Sequence, residues 1–255
     1  MPDGNIAFYD RFADFYDVAN PRAAVEFAFH KAFAKGADSL LEVACGTGTL
    51  TPTFTEVVRH YEGLDAAEGM LALARKRFPS ALFHLADMRS FDLGRRFDLV
   101  VCPFNSFLHL TDMDDAATAL CQFARHCAPG GKIVIDVCNV VPDYAPLQVR
   151  DAILNEFSDP DTGIAMIVRE DSDFDRATLT FDIRWRVTEA HSGRIVAREA
   201  FTMRQYLPGD MMDLCATAEL QVIAQYGCHA FSPFGQLSPR HIIVARPLSN
   251  TGEPF

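Results

Sequence analysis

The chain has 255 residues, 49% of them hydrophobic, and a mean hydropathy near zero. That suffices to bury one sizeable core with an embellishment and requires no second independent domain. Thirty-four acidic against 23 basic side chains leave a formal charge of −11, which repels a phosphate backbone; the basic runs Arg75-Lys76-Arg77 and Arg95-Arg96 are short and read as solvated faces, so no nucleic-acid partner is expected.

The first residues, MPDGNIAFYDRF, lack a basic start followed by a long apolar run, and no stretch approaches the roughly 18 apolar residues of a membrane span. Seven cysteines, with no CxxC pair and no zinc-type His/Cys spacing, read as reduced thiols. The expectation is a cytoplasmic protein with no membrane partner and no metal. Between Ile6 and Asp17, Tyr9 and Tyr16 stand seven apart and share one face if the segment is helical, a spacing that ordinary core packing also produces. Residues 1–36 are expected to form a helical lid.

From residue 5 to 137, short apolar runs alternate with stretches of helical period, the pattern of a parallel sheet covered by helices. Strands are expected at Ser39–Ala44, His60–Leu64, Ala81–Leu85, Phe97–Cys102 and Lys132–Val137. Helices are expected at Thr49–Arg59, Glu68–Arg77 and Asp114–His126, the last closed by Pro129-Gly130-Gly131.

Near Pro142 the pattern changes. Residues 164 to 207 alternate with period two, broken at Asp173-Phe174-Asp175 and His191-Ser192-Gly193, which describes a three-stranded antiparallel meander. Its strand Thr178–Thr188 carries Leu179, Phe181, Ile183 and Trp185 on one face and Asp182, Arg184 and Arg186 on the other. The apolar face needs a cover, which the main sheet or a second subunit, in a homodimer, can supply. Pro208-Gly209-Asp210 then opens a helix from Met211 to Glu219, and Leu220–Tyr226 and His241–Arg246 read as a closing strand pair. The fold class is therefore α/β, a doubly wound, Rossmann-like, seven-stranded sheet with an inserted meander. Residues 37–140 and 208–247 are its core and 141–207 the insertion, in one domain over 1–255. The insertion is expected over the C-terminal edge of the sheet, where open α/β sheets bind ligands.

The most informative stretch is Ser39-Leu40-Leu41-Glu42-Val43-Ala44-Cys45-Gly46-Thr47-Gly48-Thr49, a buried strand, a tight turn and a helix start. Gly46 and Gly48 let the backbone pass close to a ligand. Asp65, at the end of the second strand, stands where a carboxylate accepts hydrogen bonds from a ribose diol. Two ligands suit this geometry. A dinucleotide calls for a small third residue where Thr51 stands, and for a pyrophosphate that Glu42 would oppose; S-adenosylmethionine has no phosphate and carries a cationic amino group that Glu42 suits.

LLEVACGTGTL, EGLDAAEGMLALARKR, HLADMRSFDLGRRFDLVVC and APGGKIVID resemble, in order and spacing, the successive motifs of class I S-adenosylmethionine-dependent methyltransferases. The similarity is closest to the branch of amino-sugar N,N-dimethyltransferases and glycine N-methyltransferase-like enzymes, and covers residues 8 to 137. Ala44 departs from the pattern, since many members have glycine there. The resemblance implies S-adenosylmethionine as cofactor, with Glu42 toward its amino group, Asp65 on the ribose, Met70 beside the adenine, and Asp87 with the Met88 backbone reading the adenine edge. Ala44, Gly46, Gly48 and Phe104 complete the wall, and Arg22 pairs with the cofactor carboxylate. It also implies that the Tyr-Asp…Tyr-Asp segment folds over the cofactor, Tyr9 and Tyr16 lying near sulfonium and acceptor.

His109, in Cys102-Pro103-Phe104-Asn105-Ser106-Phe107-Leu108-His109-Leu110 after the fourth strand, can change protonation near neutrality, and the resemblance places such a histidine beside the acceptor amine. His109 and Tyr9 are thus the candidate catalytic residues, and a small-molecule amine the expected acceptor. Oxygen or carbon acceptors, an NAD(P)-dependent oxidoreductase and a non-catalytic S-adenosylmethionine-binding protein are the alternatives. Cys-Pro-Phe-Asn is not the motif that amino-directed DNA methyltransferases carry at this strand end.

Overall fold

The computed structural model describes residues 3–159 and 162–248. Helices α1 (Asp3–Ala19) and α2 (Ala24–Ala34) precede the alternating unit β1 (Ser39–Val43), α3 (Thr51–Thr55), β2 (His60–Asp65), α4 (Glu68–Arg77), β3 (Leu82–Leu85), β4 (Phe97–Cys102), α5 (Met113–His126) and β5 (Cys127–Cys138). The inserted strands are β6 (Gln148–Ser158), β7 (Ala165–Asp175), β8 (Thr180–Glu189) and β9 (Ile195–Arg204), followed by α6 (Pro208–Thr217), β10 (Leu220–Tyr226) and β11 (Arg240–Pro247). The main sheet has the order β10-β11-β5-β4-β1-β2-β3. β1 to β5 run parallel, and β11 lies antiparallel to both β5 and β10. The order reverses beside β1, between β2 and β4, which opens a crevice at the C-terminal ends of these strands. Every residue of β1 is buried, as expected for a central parallel strand covered on both faces.

Two expected elements differ. The helix expected over Thr49–Arg59 is confined to Thr51–Thr55. Thr49 spends its hydroxyl on the turn, bonding Asp17, and the amides of Arg59 and His60 donate to the Asp38 carbonyl, so the chain must already be turning back toward β2. The meander has four strands, not three, because β6 was invisible to a period-two reading. Its pairing with β7 shifts register between Val149 and Ala152 and again between Ile153 and Asn155, and Asp151 takes a positive φ of 55°. Each bulge moves the following side chains to the opposite face, so alternation is lost although pairing continues.

The meander's apolar face is covered by α1 of the same chain and not by the main sheet. Phe8 and Phe12, fully buried, pack on Trp185, and Phe8 also meets Phe201 with ring centroids 4.5 Å apart. The opposite face carries an ion-pair lattice of Arg150 and Arg184 on Asp173, and Arg186 on Asp151 and Asp171.

Helix α1 has three working stripes, set by its period. Phe8 and Phe12 face the meander; Asn5, Tyr9 and Tyr16 face the main sheet's crevice; Asp10 and Asp17 tie the helix down. Asp10 Oδ1 accepts the Gly69 amide at 2.8 Å in the first turn of α4, where a carboxylate also suits the helix dipole. Asp17 Oδ1 accepts the Thr47 hydroxyl at 2.7 Å. A Cβ on Gly69 would lie 2.6 Å from the Asp10 carbonyl oxygen and 2.9 Å from its Cα, so the approach of α1 depends on that glycine.

Gly69→Ala is therefore expected to destabilise the protein by about 1–3 kcal/mol, the range for overpacking a close contact. Hydrogen exchange should speed up in α1 while β1, β4 and β5 keep their protection. Unchanged exchange in α1 would show that the helix is held by other contacts.

Candidate active site

The turn after β1 is built on left-handed backbone: Ala44 (φ 58°), Gly46 (φ 57°) and Gly48 (φ 80°). Ala44 pays for this conformation with roughly 1–2 kcal/mol, which accounts physically for the glycine that many resembling sequences carry there. The two glycines have different roles. A Cβ at Gly46 would meet nothing within 4 Å, on the side where a ligand approaches, whereas one at Gly48 would meet the Phe78 ring and Thr51 hydroxyl at 3.0 Å. Gly48 thus serves packing and does not line the cleft, contrary to expectation.

Two adjoining clefts lie over the C-terminal ends of β1, β2 and β4. The first is lined by Tyr9, Tyr16, Ala44, Gly46, Asp65, Met70, Ser106 and His109. The second shares Tyr16, Ala44, Gly46 and Ser106 with it and adds Arg22, Glu42 and Phe104 among others. Ten expected site residues are brought together in this way. Asp87 and Met88 are not: Arg89 binds both Asp87 oxygens, at 3.0 and 2.8 Å, and Met88 is buried in the core. Burial alone would raise the Asp87 pKa, but the Arg89 hydrogen bonds outweigh it and hold the carboxyl at about 2.

Asp65 is held by backbone. Its Oδ2 accepts the Gly46 amide and its Oδ1 the Ala67 amide, each at 2.9 Å, leaving further lone pairs on both oxygens for a diol. Burial nevertheless pushes its pKa up to about 6. Glu42, 2% exposed, accepts a hydrogen bond from the Tyr61 hydroxyl at 2.7 Å, and desolvation raises its pKa to about 8 against the weaker opposing effect of that bond. It is a carboxyl bonded to a phenol, and at neutral pH it holds its proton.

On the facing wall, Phe104 (φ 56°) and Asn105 (φ 70°) are consecutive left-handed residues. The Asn105 amide donates to the Asp136 carbonyl at 2.9 Å, and the Cys138 amide donates to Asn105 Oδ1 at 2.7 Å. This turn sets the Phe104 ring under the Arg22 guanidinium, 4.0 Å from the centroid, a cation–π contact at the mouth of the second cleft.

His109 ends the 3-10 turn Ser106–His109 and is 3% exposed. Its Nε2 lies 2.6 Å from Tyr9 Oη. The expected titration near neutrality is corrected: burial lowers the His109 pKa to about 4, with the Thr202 carbonyl opposing, so the ring is neutral at pH 7. Burial also raises the Tyr9 phenol well above its usual range, so the pair is neutral as a whole.

Two groups were missed from sequence. Asp17 ties α1 to the turn after β1, and its signal was the repetition of Tyr-Asp at 9–10 and 16–17. Behind Phe104, His30, Asp136 and His229 form a buried cluster whose ligand-type atoms lie within 4.8 Å of one another. Asp136 accepts from His229 at 2.8 Å on one oxygen and from Arg240 Nε at 2.8 Å on the other. These partners outweigh burial and hold its carboxyl well below the usual carboxylate range. Arg240 already balances the carboxylate, and the cluster acts as a clasp between α2, β5 and the segment after β10.

Residues 40–131 match the family model described as Methyltransferase domain. A dTDP-3-amino-3,4,6-trideoxy-alpha-D-glucopyranose N,N-dimethyltransferase of Streptomyces venezuelae is 46% identical over 100 residues, 39% of this chain and 42% of that protein. The crystal structure of Streptomyces venezuelae DesVI superposes with a TM-score of 0.73 at 27% identity, over 94% of this chain and 98% of that one. Residues 40–131 thus carry a methyltransferase domain, and the chain as a whole has the fold of S-adenosylmethionine-dependent methyltransferases. The S-adenosylmethionine-bound structure of CalS10, an amino pentose methyltransferase of Micromonospora echinaspora, gives a TM-score of 0.70 at 26% identity over 91% and 94%. The chain spans about two fifths of the length of the curated relatives it matches.

The Glu42 carboxyl makes a testable claim on stability. Its pKa is about 8 in the folded protein and ordinary when unfolded, so between those values the folded state binds a proton that the unfolded state has released. Stability then falls as pH rises through this window, by at most ~1.4 kcal/mol per pH unit from this group. Glu42→Gln should remove the fall and be the more stable protein at pH 8, measured by urea unfolding at pH 5 and pH 8. Parallel pH profiles of the two proteins would show that Glu42 ionises normally.

Proposed function

We propose that the protein transfers a methyl group from S-adenosylmethionine to an amine nitrogen of a small molecule, as one methyltransferase domain with residues 1–36 acting as a lid. The observation that carries nitrogen over oxygen is the neutral, buried Tyr9–His109 pair. With His109 at about 4 and Tyr9 a firm phenol, the acceptor wall holds no strong base. A hydroxyl acceptor must lose its proton to become nucleophilic, whereas a neutral amine already has its lone pair. The Streptomyces venezuelae relative named above, whose name specifies N,N-dimethylation of an amino sugar, supports the same choice.

The residues fit the cofactor. Glu42 takes its cationic amino group, Arg22 its carboxylate, Asp65 the ribose hydroxyls and Met70 the adenine side, while Tyr9, Tyr16 and Phe104 supply aromatic faces. An ammonium beside Glu42 favours the ionised carboxylate, so binding at pH 7 releases a proton. A dinucleotide fits less well: its pyrophosphate would face Glu42, and α3 is only five residues long. Asp87, with the Met88 backbone, is proposed for the adenine edge, although neither residue lines the two clefts.

When bound, S-adenosylmethionine supplies an electrophilic methyl on a cationic sulfur. The chain's own residues position the acceptor. Tyr9 Oη accepts one amine N–H, which fixes the direction of the nitrogen lone pair, and the aromatic wall excludes water. Such positioning can supply on the order of 7–11 kcal/mol in the best intramolecular cases.

Free thiols at all seven cysteines support a cytoplasmic setting. Among the described residues no helix is long and apolar enough to cross a membrane. The homodimer loses the ground on which it was expected, since α1 covers the meander's apolar face; light scattering is expected to give the 28.3 kDa monomer.

Asp65→Ala should weaken S-adenosylmethionine binding by about 1.5–3 kcal/mol in calorimetry, the range for hydrogen bonds to a charged group. Gly46→Val should weaken it further, since its side chain enters the cleft. Normal affinity in both folded variants would remove the turn from the cofactor site. With methyl-labelled cofactor and a panel of amines, phenols and carboxylates, label should appear on nitrogen; label confined to oxygen products would overturn the acceptor class. The acid limb of turnover should follow the acceptor amine and persist in His109→Ala.

A further inference from the structure

Asn5, in the first turns of α1, is 3% exposed, and nothing in the local sequence marks it. Its side-chain amide is gripped by the backbone of Thr202 on β9: Nδ2 donates to the Thr202 carbonyl at 2.7 Å, and Oδ1 accepts the Thr202 amide at 2.9 Å. This pair of hydrogen bonds works in one sense only. Turning the amide over would set oxygen against carbonyl oxygen and NH₂ against N–H, leaving two buried pairs unsatisfied.

With that sense fixed, the second N–H of Nδ2 is the atom available to His109 Nδ1, 3.1 Å away. The Thr202 carbonyl, the one competing acceptor for a proton on this ring, already accepts from Asn5 at 2.7 Å, so Nδ1 offers its lone pair to Asn5. A neutral imidazole carries one proton, which must then sit on Nε2, where it is donated to Tyr9 Oη at 2.6 Å. We infer that Asn5 is a positioning residue that locks His109 as the Nε2–H tautomer, so that the group presented to the acceptor is the Tyr9 phenol and not the imidazole.

The consequence for the cleft is specific. In the locked state Nε2 has no lone pair with which to take a proton, and His109 acts by holding the phenol. Tyr9 Oη receives one hydrogen bond from His109 and keeps a lone pair for an acceptor N–H and its own O–H for a neighbouring acceptor oxygen. In the other tautomer the phenol proton would be spent on Nε2 and the cleft would meet lone pairs alone. The site is thereby matched to an acceptor carrying an amine beside a hydroxyl or ether oxygen. This rests on the placing of the acceptor at Tyr9 proposed above.

The test is nitrogen NMR of the full chain with ¹⁵N-labelled histidine, the His109 signals being assigned by their loss in His109→Ala. Wild type should show His109 with protonated Nε2 and unprotonated Nδ1 at pH 7, without any cofactor or acceptor. Asn5→Asp keeps the shape but sets a carboxylate against Nδ1; it should move the proton to Nδ1 and lower turnover about 10–100-fold, less than loss of a true acid–base group can cost, with KM for the cofactor within about twofold of wild type. Protonated Nδ1 in wild type overturns the inference whatever the variant's folding, as does a folded Asn5→Asp with unchanged tautomer and turnover. If wild type shows the expected tautomer but methylates no amine, the acceptor assignment fails and the lock stands.

Discussion

The structure depends on how closely α1 can approach the crevice of the parallel sheet. Its position is set by a backbone contact at Gly69, where no Cβ fits, and by two aspartates that bond the turn after β1 and the first turn of α4. Everything on the acceptor side follows from that docking. Tyr9 and Tyr16 reach the cleft only because Asp10 and Asp17, one residue on, are anchored. Phe8 and Phe12 then fill the apolar face of the meander, so one helix closes the site and completes the insertion's core.

The clefts are lined by groups whose ordinary ionisation burial has suppressed. Glu42 and Asp65 are both pushed up, His109 is pushed down, and Tyr9 is kept a phenol. A cation beside Glu42 restores its charge and recovers part of its desolvation cost, which is the electrostatic ground for the cofactor placement proposed above. The acceptor wall holds no comparable charge. It is a neutral hydrogen-bonded chain, Thr202 to Asn5 to His109 to Tyr9, whose polarity is set by a backbone peptide of the insertion. The meander thus affects the chemistry without contributing a side chain to it, by fixing the sense of one amide.

The clasp of His30, Asp136, His229 and Arg240 has a related structural consequence. It lies behind the strained Phe104–Asn105 turn and connects α2 to β5 and to the segment after β10. The wall carrying Phe104 and Arg22 therefore has a polar foundation, while the wall carrying Tyr9 rests on aromatic packing.

Sequence alone determined the features whose causes are local. A buried apolar run, a turn of small residues and a carboxylate at the end of the next strand are short-range patterns, so β1, Gly46 and Asp65 were legible, as were the places of the main sheet's strands along the chain and the shared face of Tyr9 and Tyr16. Tertiary structure decided what depends on distant neighbours. Strand β6 was hidden because two bulges cancel its alternation, and α3 was overestimated because the return to β2 cuts it short. Gly48 proved a packing glycine through Phe78, and Asp87 was drawn onto Arg89. The state of His109 depends on burial beneath α1 and β9 and on an asparagine 104 residues earlier. Desolvation and hydrogen-bond sense are sums over partners that chain order does not bring together, and only the folded arrangement fixes them.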